Sequence, residues 1–89
     1  MKTTTVVVTN KLGLHARPSA QLTQVATGFK SEVWLTRNER RINAKSIMGV
    51  MMLAASRGNF ITIYTEGNEE AKAMSAVQSL INDKFGEPE

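Results

Sequence analysis

Residues Thr9 to Leu22 read Thr-Asn-Lys-Leu-Gly-Leu-His-Ala-Arg-Pro-Ser-Ala-Gln-Leu, and the organisation of the chain follows from this stretch. A β-prone run, Thr3 to Thr9, leads into it. Apolar residues then recur at the spacing of one helical face: Pro18, Leu22, Val25, Ala26 and Phe29. Proline suits the first turn of a helix, where backbone amides have no partner within the helix. The stretch therefore predicts a helix that begins at or just after His15, the single histidine.

The residues around His15 suit the binding of an anion. Unpaired amides at a helix N-terminus and the positive end of the helix dipole attract negative charge. Arg17 adds a cation whose planar donors match phosphate oxygens, and Gly13 permits a sharp bend in the loop before the helix. This pattern fits a histidine that accepts a phosphoryl group, an acid or base beside an anionic substrate, or a histidine with a structural role only.

Composition limits the class of protein. With 89 residues the chain has the length of one domain, residues 1–89, and 42% hydrophobic residues suffice for one small core. The absence of cysteine and the single histidine argue against a metal site, and we expect no cofactor. The net charge of +3 favours acidic partners, although charge alone also permits nucleic acid. No apolar run approaches a membrane span, so we expect a cytoplasmic monomer without a membrane partner.

The pattern of apolar residues predicts the element order β-α-β-β-α-β-α. We expect strands at Thr3–Thr9, Ser31–Arg37, Arg40–Asn43 and Asn59–Glu66, and helices at Ala16–Thr27, from Ile47 to about Ser56, and after a cap at Asn68. The last helix carries Ala73, Met74, Val77, Leu80 and Ile81 on one side. Gly86 and Pro88 are expected in a frayed tail. The fold class is α+β, an open-faced β-sandwich with a four-stranded antiparallel sheet and three helices on one face.

The second predicted helix has no polar side chain between Ile47 and Ala55. A domain with a single sheet cannot bury every side of such a helix. We therefore expect some of Met48, Met51 and Met52 to form an exposed patch for a partner, the alternative being that two of them complete the core. Ser46 is well placed to cap this helix.

Two motifs resemble the HPr family, the histidine-containing phosphocarriers of the bacterial phosphoenolpyruvate-dependent phosphotransferase system. They are Gly-Leu-His-Ala-Arg-Pro, from Gly13 to Pro18, and Lys-Ser-Ile-Met-Gly-Val-Met, from Lys45 to Met51. The resemblance covers nearly the whole chain and implies the same sandwich fold. It also implies a stoichiometric carrier, not an enzyme, which takes a phosphoryl group from enzyme I, itself charged by phosphoenolpyruvate, and passes it to EIIA proteins.

The resemblance assigns roles by position. His15 would be phosphorylated, through Nδ1 as in family members, and Arg17 would stabilise the phosphate together with the backbone of Ala16 and Arg17. The partner-docking residues would be Ala20, Lys45, Ile47, Met48 and Met51. Ser46 matches the position that a regulatory kinase, the HPr kinase/phosphorylase, modifies in many members.

Some positions depart from the family pattern. Leu12 replaces a residue that is often small and polar in sugar-pathway members, so a hydrogen bond to the imidazole is expected to be absent. Gln24, Thr27 and Gly49 replace frequently basic residues, which predicts weaker electrostatic docking. The run Asn10 to Gly13 is similar to NPr, the nitrogen-branch relative, which stays open as an alternative.

Two functions from other classes are the competing interpretations. A small basic α+β domain resembles RNA-binding folds in outline, but the chain lacks the clustered aromatic strand motif and the Gly-x-x-Gly loop of such modules. A self-contained hydrolase using His15 would need a serine, cysteine or paired carboxylate that the sequence does not place beside it.

Overall fold

A four-stranded antiparallel sheet forms one layer of the molecule in a computed structural model, which describes residues 1–88. Its strands are β1 (Lys2–Val7), β2 (Glu32–Arg37), β3 (Arg40–Asn43) and β4 (Phe60–Glu66). They lie in the order β1-β4-β2-β3. Ile63 of β4 pairs with Thr4 on one side and with Leu35 on the other. β4 is therefore an inner strand, although it is the last of the four in sequence.

Three helices form the second layer: α1 (Ala16–Thr27), α2 (Ile47–Met52) and α3 (Glu70–Asn82). A short 3₁₀ turn, Lys84–Gly86, follows α3. α3 packs against β1 and β4, and α1 contacts both other helices. The predicted open-faced sandwich is confirmed, and the bounds of α1 and β3 agree with the prediction. No helix within residues 1–88 combines the length and the apolar character needed to cross a membrane.

Alternation along the strands separates the core from the open face of the sheet. Val33 and Leu35 of β2 and Ile61 and Ile63 of β4 are buried beneath the helices. The core also includes the following residues: Val6, Val8, Leu14, Leu22, Ala26, Ala44, Val50, Leu53, Ala55, Ala73, Met74, Val77, Ile81 and Phe85. On the opposite face, the Arg41 guanidinium lies 4.6 Å from the centre of the Trp34 ring. This contact partly covers a ring that the helices leave open.

Helix α2 ends at Met52, four residues before the predicted end at Ser56. A longer helix would need the Ser56 amide to donate to the Met52 carbonyl. Instead Ser56 N donates to Asn59 Oδ1 at 2.8 Å, and the Met52 carbonyl accepts from the Arg40 guanidinium. The predicted helix end is wrong because side chains satisfy the groups that would have extended it.

The start of α3 also differs from the prediction. Glu69, not Asn68, occupies the N-cap position, and its side chain makes no capping bond because Oε1 accepts from Lys30 N at 2.9 Å. Glu70 takes the role instead, since its carboxylate accepts from Gly67 N at 3.3 Å and pairs with the Met1 ammonium at 2.9 Å. The hydrogen bond to this N-terminal ammonium, followed by that to Gly67, lowers the pKa of Glu70 below its ordinary value of 4.5.

Gly86 belongs to the 3₁₀ turn, where the sequence predicts a frayed tail, whereas Pro88 is exposed and lies outside the helices and strands. Phe85 has a φ of +57° within the 3₁₀ turn, and its side chain is only 3% exposed. This aromatic anchor turns the chain back toward the loop before α1. As a result Glu87 reaches the loop before α1.

Candidate functional site

His15 lies at the N-cap of α1, in an extended conformation with φ −77° and ψ −174°. Its carbonyl accepts the first bond of the helix from Ser19 N at 3.0 Å, while its side chain makes no capping bond. The side chain is 34% exposed. The helix therefore begins where the sequence predicts, and the imidazole is accessible at its N-terminus.

The first turn of α1 presents its amides next to this ring. Because the His15 side chain does not cap the helix, it takes neither the Ala16 nor the Arg17 amide. Pro18 is buried and has no amide hydrogen to satisfy. Arg17 is exposed and lines an open depression of about 240 Å³ with Lys11, Leu12, Glu87 and Pro88. A cation and a helix N-terminus thus flank the depression.

The loop before His15 is held by backbone contacts that need a glycine. Gly13 has a φ of +64°, and its amide donates to Asn10 O at 3.2 Å. A Cβ atom there would lie 2.4 Å from the Ala55 carbonyl oxygen. The next amide, of Leu14, donates to that same oxygen at 2.9 Å. The loop therefore packs directly against the segment that follows α2, which sets where α1 begins.

Glu87 contacts the histidine, and Asn10 in turn holds Glu87; neither residue is a candidate that the sequence predicts. Glu87 Oε2 lies 3.1 Å from His15 Nε2, and Glu87 Oε1 accepts from Asn10 Nδ2 at 3.0 Å. Asn10 is fully buried, and its Nδ2 also donates to Gly13 O at 2.8 Å. Leu12 is exposed, so the imidazole bonds to this distant carboxylate instead of to a polar residue at position 12. Nothing in the local sequence pattern signals this contact.

Most of the predicted docking residues lie on or next to α2, which contacts α1. Ser46 caps α2, its hydroxyl accepting from Gly49 N at 3.1 Å. The exposed apolar residues of this helix are Ile47, Met48, Met51 and Met52, with Met48 68% exposed. The alternative in which two methionines complete the core is wrong.

The two remaining docking candidates differ in their surroundings. Ala20 is exposed on α1. Lys45 is half-buried, and its ammonium donates to the Phe29 carbonyl at 2.8 Å, just beyond the C-terminal end of α1. A cation at this end complements the helix dipole. The Lys45 side chain therefore ties α2 to α1.

Comparisons with known proteins agree on one family. The profile described as "PTS HPr component phosphorylation site" matches residues 2–83. "Phosphocarrier protein HPr" from Neisseria meningitidis serogroup A is 57% identical over 84 residues, covering 94% of each chain. The crystal structure of HPr-C-His from Thermoanaerobacter tengcongensis superposes with a TM-score of 0.96 at 45% identity, covering all of both chains. A structure named as an HPr dimer from the same organism has a TM-score of 0.79 at 46% identity, covering 98% of this chain and 100% of its own.

The sheet topology and an exposed histidine at a helix N-terminus define a small α+β carrier domain, and the chain belongs to the HPr family of phosphocarrier proteins. Its function is accordingly that of a phosphocarrier in the phosphotransferase system. The comparisons do not favour the nitrogen-branch or nucleic-acid alternatives.

Proposed function

We propose that His15 accepts the phosphoryl group from phosphorylated enzyme I, which phosphoenolpyruvate charges, and passes it to EIIA proteins. The observation that carries this proposal is the position of the ring, accessible at the start of α1 with Arg17 on the neighbouring surface. Family membership supports the choice of donor and acceptors.

The chemistry follows from the groups at the site. A neutral imidazole nitrogen attacks the phosphorus atom in line with the bond that breaks, and the donor keeps that bond's electron pair. The Ala16 and Arg17 amides and the Arg17 guanidinium hold the phosphoryl oxygens without rearranging. These contacts are few and open to solvent, so the phosphoryl group is stabilised only moderately. A carrier needs such a balance, because it must release the group to the next protein.

The proposed carrier acts stoichiometrically, as a single domain of residues 1–89 in the cytoplasm. We assign partner docking to Ala20, Lys45, Ile47, Met48 and Met51. The exposure of the apolar residues of α2 supports this surface, and flexible methionine side chains suit several partners. We propose a monomer as the working form, although three structural neighbours are named as dimers.

Ser46 is the proposed regulatory site, modified by an HPr kinase/phosphorylase. Its hydroxyl is exposed at the N-terminus of α2 and adjoins the docking residues Ile47 and Met48. A phosphate would place about two negative charges beside that surface. The helix dipole tolerates these charges, because they lie at the N-terminus of α2. Binding of an acidic partner would weaken as a result.

The test of the carrier function is a reconstituted relay. The purified protein is incubated with a catalytic amount of enzyme I and labelled phosphoenolpyruvate, and an EIIA protein is then added. We expect close to one phosphoryl group per chain, stable in base and labile in acid, followed by transfer to EIIA. His15→Ala should take up no label while retaining the circular dichroism spectrum of the wild type. Ser46→Ala is the matched control and should be labelled normally. Label retained by His15→Ala would contradict the proposal.

A further inference from the structure

Within residues 1–88, the carboxylate of Glu87 lies in direct contact with the His15 ring. Its two oxygens have different partners: Oε2 lies 3.1 Å from His15 Nε2, and Oε1 accepts from Asn10 Nδ2 at 3.0 Å. Glu87 is 18% exposed at its side chain, so water has limited access to this pair. Both oxygens of the carboxylate are thus occupied.

The hydrogen bonds of Asn10 fix the orientation of its side-chain amide. Nδ2 faces two acceptors, Glu87 Oε1 and the Gly13 carbonyl, so the amino group must point toward them. Oδ1 is buried and has no hydrogen-bond partner among the residues that the structure describes. An unsatisfied buried acceptor is unfavourable, and where one persists it calls for an explanation. Holding the Glu87 carboxylate against the histidine is the explanation that the geometry offers.

A carboxylate only accepts hydrogen bonds, so it determines which nitrogen of a neutral imidazole ring carries the hydrogen. With Glu87 at Nε2, that nitrogen must carry the hydrogen, and Nδ1 keeps its lone pair. We propose that Glu87, held by Asn10, is a positioning residue that fixes the Nε2–H tautomer of His15 and so leaves Nδ1 as the nucleophile. The proposal rests on the phosphocarrier function of His15 proposed above.

The transfer step forms one bond and breaks one. The Nδ1 lone pair forms the bond to phosphorus while the bond between phosphorus and the donor breaks, and the electron pair of that bond stays with the donor. The proton remains on Nε2, so the phosphorylated ring becomes cationic. The Glu87 carboxylate then faces this positive charge, as the carboxylate does in other histidine–carboxylate pairs. No proton leaves the site during the step.

Glu87→Gln is the sharpest test, because Asn10 fixes which way the new amide group points. The new amide oxygen accepts from Asn10 Nδ2, and the new amino group then faces His15 Nε2. That nitrogen must now accept a hydrogen bond, so the ring should change to the Nδ1–H tautomer. The lone pair at Nδ1 is lost in that form. Glu87→Ala removes the constraint and should give a mixture of tautomers. Glu39→Gln, in the exposed turn between β2 and β3, is the control for the change in net charge.

Two measurements read the result. Ring ¹⁵N chemical shifts of the unphosphorylated proteins, recorded well above the pH at which the ring is protonated, give the tautomer directly. We expect Nε2–H in the wild type and in Glu39→Gln, and Nδ1–H in Glu87→Gln. Single-turnover phosphoryl uptake from saturating phosphorylated enzyme I should slow by roughly 10- to 100-fold in Glu87→Gln, the range found when the carboxylate that orients a metal-binding histidine is replaced.

The two proposals fail separately. Nε2–H retained in Glu87→Gln, or an unchanged uptake rate with a changed tautomer, would overturn the role of Glu87 while leaving His15 as the acceptor. Absence of phosphate on His15 in the wild type would instead overturn the proposed function, whatever the tautomer measurement gives.

Discussion

Arg17 is the residue whose charge most directly serves the proposed chemistry. Its side chain is exposed at the first turn of α1 and lines the same depression as Glu87. A charge-assisted hydrogen bond to a phosphoryl oxygen contributes about 1.5–3 kcal/mol. We therefore expect Arg17→Ala to slow phosphoryl uptake by about 10- to 100-fold, since each 1.4 kcal/mol corresponds to about a tenfold change in rate.

The uptake rate from phosphorylated enzyme I measures this effect. Arg41→Ala is the control, because it removes the same charge from the open face of the sheet, where the guanidinium lies over Trp34. Equal uptake rates for Arg17→Ala and Arg41→Ala would show that Arg17 does not stabilise the phosphoryl group.

Gly13 gives a stability prediction at the same scale. A side chain there adopts the left-handed region at φ +64°, which is unfavourable by roughly 1–2 kcal/mol. It also meets the Ala55 carbonyl at 2.4 Å, and overpacking of this kind adds about 1–3 kcal/mol. Gly13→Ala should lower the urea midpoint and weaken the attachment of the loop that carries His15.

Gly58→Ala separates the two contributions. Gly58 also has a positive φ, +91°, but nothing lies within 4 Å of a Cβ atom at that position. It should therefore destabilise the protein through backbone strain alone. If Gly13→Ala has no larger effect than Gly58→Ala, the close approach to Ala55 is not limiting.

Helix α2 depends on its first residue more than a longer helix would. It has six residues, and Ser46 is the N-cap whose hydroxyl accepts from Gly49 N. Ser46→Ala should lower the free energy of unfolding by about 1 kcal/mol. Ser46→Asp should preserve stability, because aspartate is an equally good cap and suits the positive end of the helix dipole.

The same Ser46→Asp variant tests the regulatory proposal. Its added charge lies beside the docking residues of α2, so its affinity for enzyme I, measured by calorimetry, should fall below that of the wild type. Ser75→Asp places the same charge on the exposed side of α3 and should bind normally. Wild-type affinity for Ser46→Asp would argue against regulation through this position.

At the scale of the whole molecule, the ion pair between the Met1 ammonium and the Glu70 carboxylate links the start of β1 to α3. The bond to the Met1 ammonium lowers the pKa of Glu70 below 4.5, so the folded state binds a proton at this carboxyl less readily than the unfolded state. Its contribution to stability is therefore complete at neutral pH. That contribution is lost as the pH falls below 4.5 and through the lowered value.

Glu70→Gln makes this contribution measurable. It should have a lower urea midpoint than the wild type at pH 7, and the difference should shrink progressively below pH 4.5. Glu39→Gln, in an exposed turn, is the control for the loss of one negative charge. A difference that is constant or that grows as the pH falls would contradict the assignment to Glu70.

Local sequence patterns predict most of this fold because its elements are amphipathic and clearly punctuated. Pro18 and the apolar spacing after it predict the start of α1, and alternation predicts the inner strands β2 and β4. The same patterns cannot show a contact such as that of His15 with Glu87, which are 72 residues apart. That contact depends on Phe85 entering the core in a backbone conformation that no propensity indicates.

The candidate site divides in the same way. Gly13, His15, Arg17 and Ser46 are recognisable from the sequence because their roles depend on neighbouring backbone atoms. Asn10 and Glu87 are not, since they act through tertiary contacts. Helix α2 falls between these cases: its cap is local, whereas its early end depends on a guanidinium from β3.

Mapping of the phosphorylated residue shows whether His15 is the phosphoryl acceptor. The protein is labelled with enzyme I and phosphoenolpyruvate, digested at alkaline pH to preserve a phosphohistidine, and its peptides are sequenced by mass spectrometry. We predict a single modified residue, His15. A phosphoryl group on Ser46 under these conditions, or an unmodified His15 in a labelled chain, would show that His15 is not the acceptor.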